Sequence, residues 1–412
     1  MSLVIKTDTL IIGAGVIGSA VAMNLAKLAR PAQGDLRVVD FDLEGSLSSS
    51  ELNAGGVRGT WNQPVNVSMS KLTIDWFAEN AQSVGYRDVG YLWLKTPETL
   101  PKALLAREQQ IATGWPVDAW DLAELKRRVP FIDKTDDLAG AIFSGRDGLV
   151  NPNGVKSLLR EQARAQGAVF DDRLLLNSAE RDGRGQWLLS FQKYPARLSD
   201  QERIAVLSDE KTDAEPELVR YEARRVVNCA GAWAASVAKI LGYESPVFPL
   251  RRQISLFDCR GLDMTRYGMI VDTSGVYFHA EGTHVLAGFA TNEPKKINYQ
   301  YDGEDFFTQS IWSALYERAS AFENLKHFTG WAGQYEVSPD ESAVIGEVAD
   351  AGLQGSVFEA HSFSGHGVMH CHAAGLALAE LMVHGKYSTI DASILSGARF
   401  EAGKLVHETA VI

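Results

Sequence analysis

Cysteine is scarce in this sequence. Its three residues, Cys229, Cys259 and Cys371, form no C-x-x-C pair. This excludes a disulfide framework and the common zinc ribbons, and fits a reducing compartment, taken here as the cytoplasm. Positive charge is short as well. Lys and Arg total 40 against 52 Asp and Glu, leaving a net charge of −12, so no nucleic-acid partner is expected. Long apolar runs are missing: none approaches the roughly 20 residues that span a bilayer. The nearest, residues 10–26, lacks the basic flank of a secretory signal and is broken by spaced glycines. It reads as a motif, and no transmembrane segment is expected. His361, His366, His370 and His372 crowd around Cys371. The glutamate of an H-E-x-x-H pair is absent and no second Cys or His group has ligand spacing, so no metal is expected.

What is present is an ordinary globular composition, 45% hydrophobic and 22% charged over 412 residues, enough for two or three domains. Thr9-Leu10-Ile11-Ile12 reads as a short buried strand. Gly13-Ala14-Gly15-Val16-Ile17-Gly18 follows, a complete G-x-G-x-x-G, then an apolar helical stretch, then Leu36-Arg37-Val38-Val39 ending in Asp40. This βαβ unit suits a dinucleotide. Gly13 permits the turn, Gly15 lets the backbone approach a pyrophosphate, and Gly18 lets helix and strand pack closely. The helix N-terminus offers N–H groups to the phosphates. Asp40, with Asp42 as its rival, can accept from ribose hydroxyls. The motif by itself does not separate FAD from NAD.

Ser49, Ser50 and Asn53-Ala54-Gly55-Gly56-Val57-Arg58 belong to a serine- and glycine-rich loop able to wrap a cofactor. Residues 64–141 read as mainly helical. A helix is expected over 151–166, started by Pro152 and stopped by Gly167. Residues 169–225 read as strands, with 195–217 an exposed hairpin or loop. Asn228-Cys229-Ala230-Gly231-Ala232-Trp233 reads as a second strand-to-helix turn. Strands are expected within 249–289, a helix over 315–324, a strand over 356–360 and a helix over 369–382.

At this point the sequence resembles the D-amino-acid oxidase and sarcosine/glycine oxidase family of FAD-dependent oxidoreductases, over almost its full length. The match rests on the N-terminal fingerprint, the loop ending in Arg58, the turn at Ala230-Gly231-Ala232-Trp233, and Ser362-Phe363-Ser364-Gly365-His366-Gly367. Trp331-Ala332-Gly333-Gln334-Tyr335 and Tyr277-Phe278-His279 add to it. The resemblance is greatest to a subgroup with sarcosine-oxidase-β-like proteins and a flavoprotein linked to complex I assembly. It implies an α/β fold with a glutathione-reductase-like, Rossmann-type FAD domain and an inserted α+β substrate domain with a mixed β-sheet. The expected division is 1–60, 151–248 and 331–412 for FAD, and 61–150 and 249–330 for substrate. Leu176 joins the expected cofactor contacts, with Gly365, His366, Gly367, Val368 and Met369 at the start of the last helix.

Relatives with covalent flavin use a cysteine where Gly333 stands or a histidine where Leu52 and Asn53 stand, so the resemblance implies non-covalent FAD. Sarcosine oxidases place a substrate-binding lysine where Met369 stands, and a second lysine, which assists dioxygen, near Leu286 or Ala287. Arg58, Tyr277, Arg252, Tyr335 and Met369 are the substrate-side candidates, with His366, Tyr335 and Arg58 the catalytic ones. The implied reaction is oxidation of a C–N bond in a small amine or amino acid, with dioxygen, a quinone or an electron-transfer protein as acceptor. The alternatives are an FAD-dependent 2-hydroxy-acid dehydrogenase and a non-catalytic flavoprotein that assists assembly of a respiratory complex.

Overall fold

The computed structural model describes residues 4–32, 34–43, 45–350 and 352–410. Its first sheet grows from the apolar strand Val4–Ile12, which pairs in parallel with Leu36–Val39 on one side and Glu217–Asn228 on the other. Val169–Asp171 and Val357–His361 extend this parallel core, and Val344–Glu347 closes one edge antiparallel. A hairpin, Leu174–Arg181 with Trp187–Lys193, branches from Glu217–Asn228. Strands such as Val357–His361 are buried throughout, as expected where helices cover a parallel sheet.

The second sheet runs in the order Leu325–Val337, Phe248–Cys259, His284–Phe289, Tyr277–Glu281, Met269–Val271, Tyr91–Lys95, Gly140–Ser144, Asp118–Trp120. All neighbours are antiparallel except Met269–Val271 with Tyr91–Lys95. Alternation along its strands gives it two apolar faces. One packs Phe257, Phe278 and Ala287 against Phe307, Ile311 and Leu315. The other gathers Tyr91, Met269, Val271 and Tyr277 beside Ala54 of the cofactor-side loop.

Two sequence expectations change. Residues 64–141 hold the helices Pro64–Glu79, Ala81–Val84, Leu100–Ala112 and Leu122–Arg128, but also the strands Tyr91–Lys95, Asp118–Trp120 and Gly140–Ser144. Tyr91-Leu92-Trp93-Leu94 lies against other strands, and tertiary pairing decides its state. The 195–217 segment contains a helix, Asp200–Leu207, nucleated by a capping box between Ser199 and Glu202. The strand Leu325–Val337 crosses residue 331, because its antiparallel pairing with Phe248–Cys259 is continuous across that point.

The helices Val16–Ala29 and Gly367–His384 cross in near backbone contact. A Cβ on Gly375 would lie 2.5 Å from the Ala20 carbonyl carbon and 2.8 Å from the Val21 nitrogen. Neither atom can swing aside as a side chain would. The Gly375→Val variant is therefore expected to lose about 3 kcal/mol of stability by overpacking and to bind less cofactor, checked by thermal unfolding and by flavin content. A variant as stable as the parent would show that this crossing is not tight.

Candidate active site

Four parallel strands end at one cleft, which is where an open α/β sheet places its ligands. Ile12 leads into Gly13, Val39 into Asp40, Asn228 into Cys229 and Ala230, and His361 into the turn before the helix Gly367–His384; residues of all four turns line the cleft. The first turn is tight by necessity. Gly13 has φ 101°, and a Cβ there would lie 2.2 Å from the Cys229 carbonyl oxygen. The helix Val16–Ala29 receives no side-chain cap from Gly15. Instead Ser50 Oγ accepts from the Val16 N–H at 3.0 Å, and a Gly15 Cβ would lie 3.1 Å from that hydroxyl. Asp40 accepts from the N–H of Ala14 and, at 2.8 Å, from that of Asp42. Asp42 also lines the cleft, but its carboxylate is ion-paired with Arg203 at 3.1 Å.

The helix Gly367–His384 starts at the same cleft. Ser362, Ser364 and Gly365 have φ of 59°, 49° and 91°, a left-handed turn whose two serines cost about 1–3 kcal/mol each. The His366 side chain supplies no cap to Gly367–His384. Two helix N-termini without a cap from their own N-cap side chain thus face one cleft with an acid at a strand end. This is the set a dinucleotide needs: N–H donors and positive dipole ends for its anionic parts, and a carboxylate for its ribose. The serine-rich loop is stitched across the cleft. Ser49 Oγ donates to the Gln334 carbonyl at 2.6 Å, Trp331 Nε1 to the Leu52 carbonyl at 2.9 Å, and His279 Nε2 lies 2.8 Å from the Ala54 carbonyl oxygen. Asn53 bonds within the loop, to the Ser50 carbonyl and the Gly55 N–H, each at 2.6 Å.

Opposite these elements lies a polar pocket under the second sheet. Arg58 is 4% exposed and stacks over Trp61 at 3.6 Å and over Trp93 at 4.9 Å. Its guanidinium donates to the carbonyls of Thr60 and Ala410 and forms no ion pair with any described residue. Burial holds its pKa below the usual value. Tyr91, Tyr277 and Tyr335 line the pocket beside it. Burial raises all three phenols, so they stay protonated. Each ring rests on a glycine: Tyr91 on Gly56, Tyr277 on Gly288, Tyr335 on Gly365. His366 packs against Trp61 at 4.8 Å. Burial, then the charge of Arg58, pushes its imidazole down to about 3, so it is neutral. Behind Arg58, Asp147 is fully buried and accepts from the Gly59 N–H at 2.7 Å, Trp115 Nε1 at 2.9 Å and Thr60 Oγ1 at 3.2 Å. Burial pushes its carboxyl up to about 7.

The structure brings most of the expected residues together. Gly13, Gly15, Val16, Ile17, Asp40, Ser49, Ser50, Asn53, Ala54, Gly56, Leu176, Ala230, Gly231, Trp233 and residues 365–369 line the cleft, as do Arg58, Tyr277 and Tyr335. Ala14, Gly18, Gly55 and Arg252 are not among its lining. A Gly18 Cβ would meet the Gly13 carbonyl oxygen and a Gly55 Cβ the Val150 carbonyl oxygen, so these two glycines serve backbone packing. Arg252 lies behind Tyr335, 5.2 Å from its ring. Tyr91, Met269 and Glu336 were missed. Tyr91 sits in a stretch read as helical, because its run is too short and too apolar on both sides for periodicity to mark a strand. Glu336 lies beside the expected Tyr335, and burial raises its carboxyl to about 7.

The family model for FAD-dependent oxidoreductases named DAO matches residues 8–381. The chain belongs to this family. Its cofactor is therefore FAD, and it is an FAD-dependent oxidoreductase. FAD-dependent oxidoreductase domain-containing protein 1 of Xenopus laevis is 28% identical, over 96% of this chain and 83% of that protein. Human mitochondrial dimethylglycine dehydrogenase is 24% identical, over 92% of this chain and 43% of that longer protein. The crystal structure of L-proline dehydrogenase from P. horikoshii has a TM-score of 0.80 at 21% identity, covering 98% of this chain and 100% of that one. At this identity the likeness shows the fold. No helix among the described residues is long and apolar enough to cross a membrane.

Gly15→Val is expected to abolish FAD binding, because its methyls would crowd Ser50 and the pyrophosphate path; a normal flavin spectrum in the purified variant would refute this placement. Acid precipitation should release intact FAD. The positions at which the resemblance would place a covalent flavin hold Gly333 at one and Leu52 with Asn53 at the other, and a Gly333 Cβ would lie 2.9 Å from Leu52 Cβ. Flavin left in the pellet would contradict this. The pH dependence of stability follows from Asp147. Its folded value of about 7 lies above the ordinary 3.8. As pH rises through that window the unfolded chain gives up a proton that the folded one keeps, and stability falls until about pH 7. Asp147→Asn should show a smaller fall in melting temperature between pH 5 and pH 7.5 than the parent.

Proposed function

We propose that the enzyme oxidises the C–N bond of a small amino acid, with or without an N-substituent. The observation that carries this reading is Arg58: a buried cation at the pocket, without a described acid in ion-pair reach. A guanidinium is the natural fork for a carboxylate, and a buried charge is stabilised when such a partner arrives. The substrate carboxylate docks on Arg58, and the phenols of Tyr277 and Tyr335 donate hydrogen bonds around it. Bound FAD supplies the acceptor for the hydride that leaves the carbon beside the amine nitrogen. The N–H groups of Gly367 and Val368 at the helix start favour the negative charge that builds up opposite them. The resulting C=N bond is hydrolysed by water. In this reading residues 1–60, 151–248 and 331–412 hold FAD, and 61–150 with 249–330 cover the substrate.

The pocket is less suited to a 2-hydroxy acid, whose hydroxyl requires a capable base. His366, with its imidazole at about 3, is a weak base, which leaves the Glu336 carboxyl, raised to about 7 by burial, as the group a hydroxy acid would have to use. The names of relatives include dimethylglycine and sarcosine dehydrogenases, which fits an amino acid substrate and an acceptor other than dioxygen. They also include mitochondrial enzymes, and sparse free cysteines suit that compartment as well as the cytoplasm. The strand position expected to carry an oxidase lysine is apolar on both faces: Leu286 pairs with His279, and Ala287 with Phe278 in the opposite layer.

Anaerobic mixing with a panel of amino acids, N-methyl amino acids and 2-hydroxy acids tests the reading. Flavin bleaching by an amino acid and not by its hydroxy analogue is expected, and the reverse pattern would sink it. Arg58→Met should raise KM for that substrate about 100-fold, the loss of a charged hydrogen-bonded contact of about 3 kcal/mol. After anaerobic reduction, a quinone or dye should reoxidise the flavin faster than air does. Reoxidation by air within one turnover would make the enzyme an oxidase.

A further inference from the structure

The face of the second sheet that roofs the substrate pocket does not stop at Tyr91. Two residues on along the same strand face is Trp93, and two further is Lys95. Both line a second cavity of about 280 Å³, with Val271, Gly275 and Phe289. The Trp93 ring, which lines this second cavity, is also in contact with Arg58 of the first. Arg58, from the substrate pocket, lies 4.9 Å from its centroid, and the Lys95 ammonium 5.0 Å from it.

Lys95 is half-buried, and its ammonium has no ion pair or hydrogen bond with a described residue. Burial, then the charge of Arg58, holds its pKa below the usual value. The indole N–H of Trp93 is buried without a hydrogen-bond partner. One acid lines the cavity, Asp272, but its carboxylate is taken by Arg318 and by the Ser274 N–H at 2.9 Å. Thr96 and Thr99 pair their hydroxyls with each other at 3.1 Å. Two like charges one indole apart, both without an acid partner, repel each other in a partly dry space, where that repulsion is weakly screened. A ligand with a single carboxylate neutralises Arg58 and leaves Lys95 bare. A ligand with two neutralises both.

We propose that the cavity beyond Trp93 is a subsite for a second carboxylate, with Lys95 as its cation and the Trp93 N–H as its hydrogen-bond donor, so that the preferred substrates are amino acids with a distal carboxylate. This rests on the assignment of Arg58 to the first carboxylate. The hydride chemistry is unchanged; the second carboxylate takes no part in it and sets specificity. Lys95 is a binding residue at the far end of the substrate.

The test uses the oxidised holoenzyme and two unreactive ligands of similar length, butyrate and glutarate, titrated against the visible absorbance of the flavin. Glutarate is expected to bind about tenfold or more tightly than butyrate, the value of one additional charged contact. Lys95→Met should weaken glutarate to the level of butyrate and leave butyrate unchanged, and Lys95→Arg should restore the preference. Equal affinities for the two ligands in the parent enzyme, or a Lys95→Met variant that weakens both alike, would overturn the subsite and leave the Arg58 assignment standing. If neither ligand perturbs the flavin or competes with substrate, the Arg58 assignment falls and the subsite with it.

Discussion

The contact on which this structure depends is the crossing of two helices at Gly375, where the backbone of Ala20 and Val21 takes the place of a side chain. The crossing fixes Val16–Ala29 and Gly367–His384 as a pair, one following the first strand of the chain and the other its last. Because each begins where a parallel strand ends, their N-termini open onto the same cleft. Two ends without a cap from their own N-cap side chain give a concentration of N–H donors and partial positive charge without any cationic side chain. A chain of net charge −12 can therefore hold an anionic dinucleotide.

The second sheet adds what a dinucleotide fold lacks, a roof with specificity. Its flavin-side face carries tyrosines whose rings rest on glycines, and the glycines come from different places: Gly56 from the wrapping loop, Gly288 from the roof itself, Gly365 from the helix turn. Two of these close approaches, at Gly56 and Gly365, lock the roof to the floor, and the third packs the roof on itself. Arg58 stands in that junction with its charge exposed only to the pocket. The low dielectric that makes a buried, unmatched cation costly also makes a carboxylate ligand strongly preferred there. Asp147 stays out of the pocket and holds the main chain on the far side of Arg58, so it shapes the cation without neutralising it at close range.

Much of the site was legible in the residues because its parts are local. A strand, a glycine turn and a helix start within ten residues specify a phosphate cradle whatever surrounds them, and Asp40 falls at the end of the next strand. The helix start after Gly365-His366-Gly367 was legible for the same reason, whereas the left-handed φ of Ser362 and Ser364 was not. Tyr91 and Lys95 were not. Their strand is short and apolar on both sides, periodicity cannot separate such a run from a buried helix, and its partners, Met269–Val271 and Gly140–Ser144, lie far away in sequence. The place of Arg252 was not legible for a related reason: next to Arg251 on a strand, one of the two must point elsewhere, and only the packing on Tyr335 shows which way it lies.

The sequence by itself determined the cofactor fold and the chemistry of its floor, because glycines that must accept close backbone approach and acids at strand ends act over a few residues. It also determined that no covalent anchor stands at Gly333 or Leu52. Tertiary structure decided the rest. It made Asp40 the carboxylate against the glycine loop by drawing Asp42 to Arg203, kept His366 neutral by burying it against Trp61, and left Arg58 and Lys95 without an acid partner beside one indole. These outcomes depend on desolvation and on which charges end up near one another, and neither is set by neighbours along the chain.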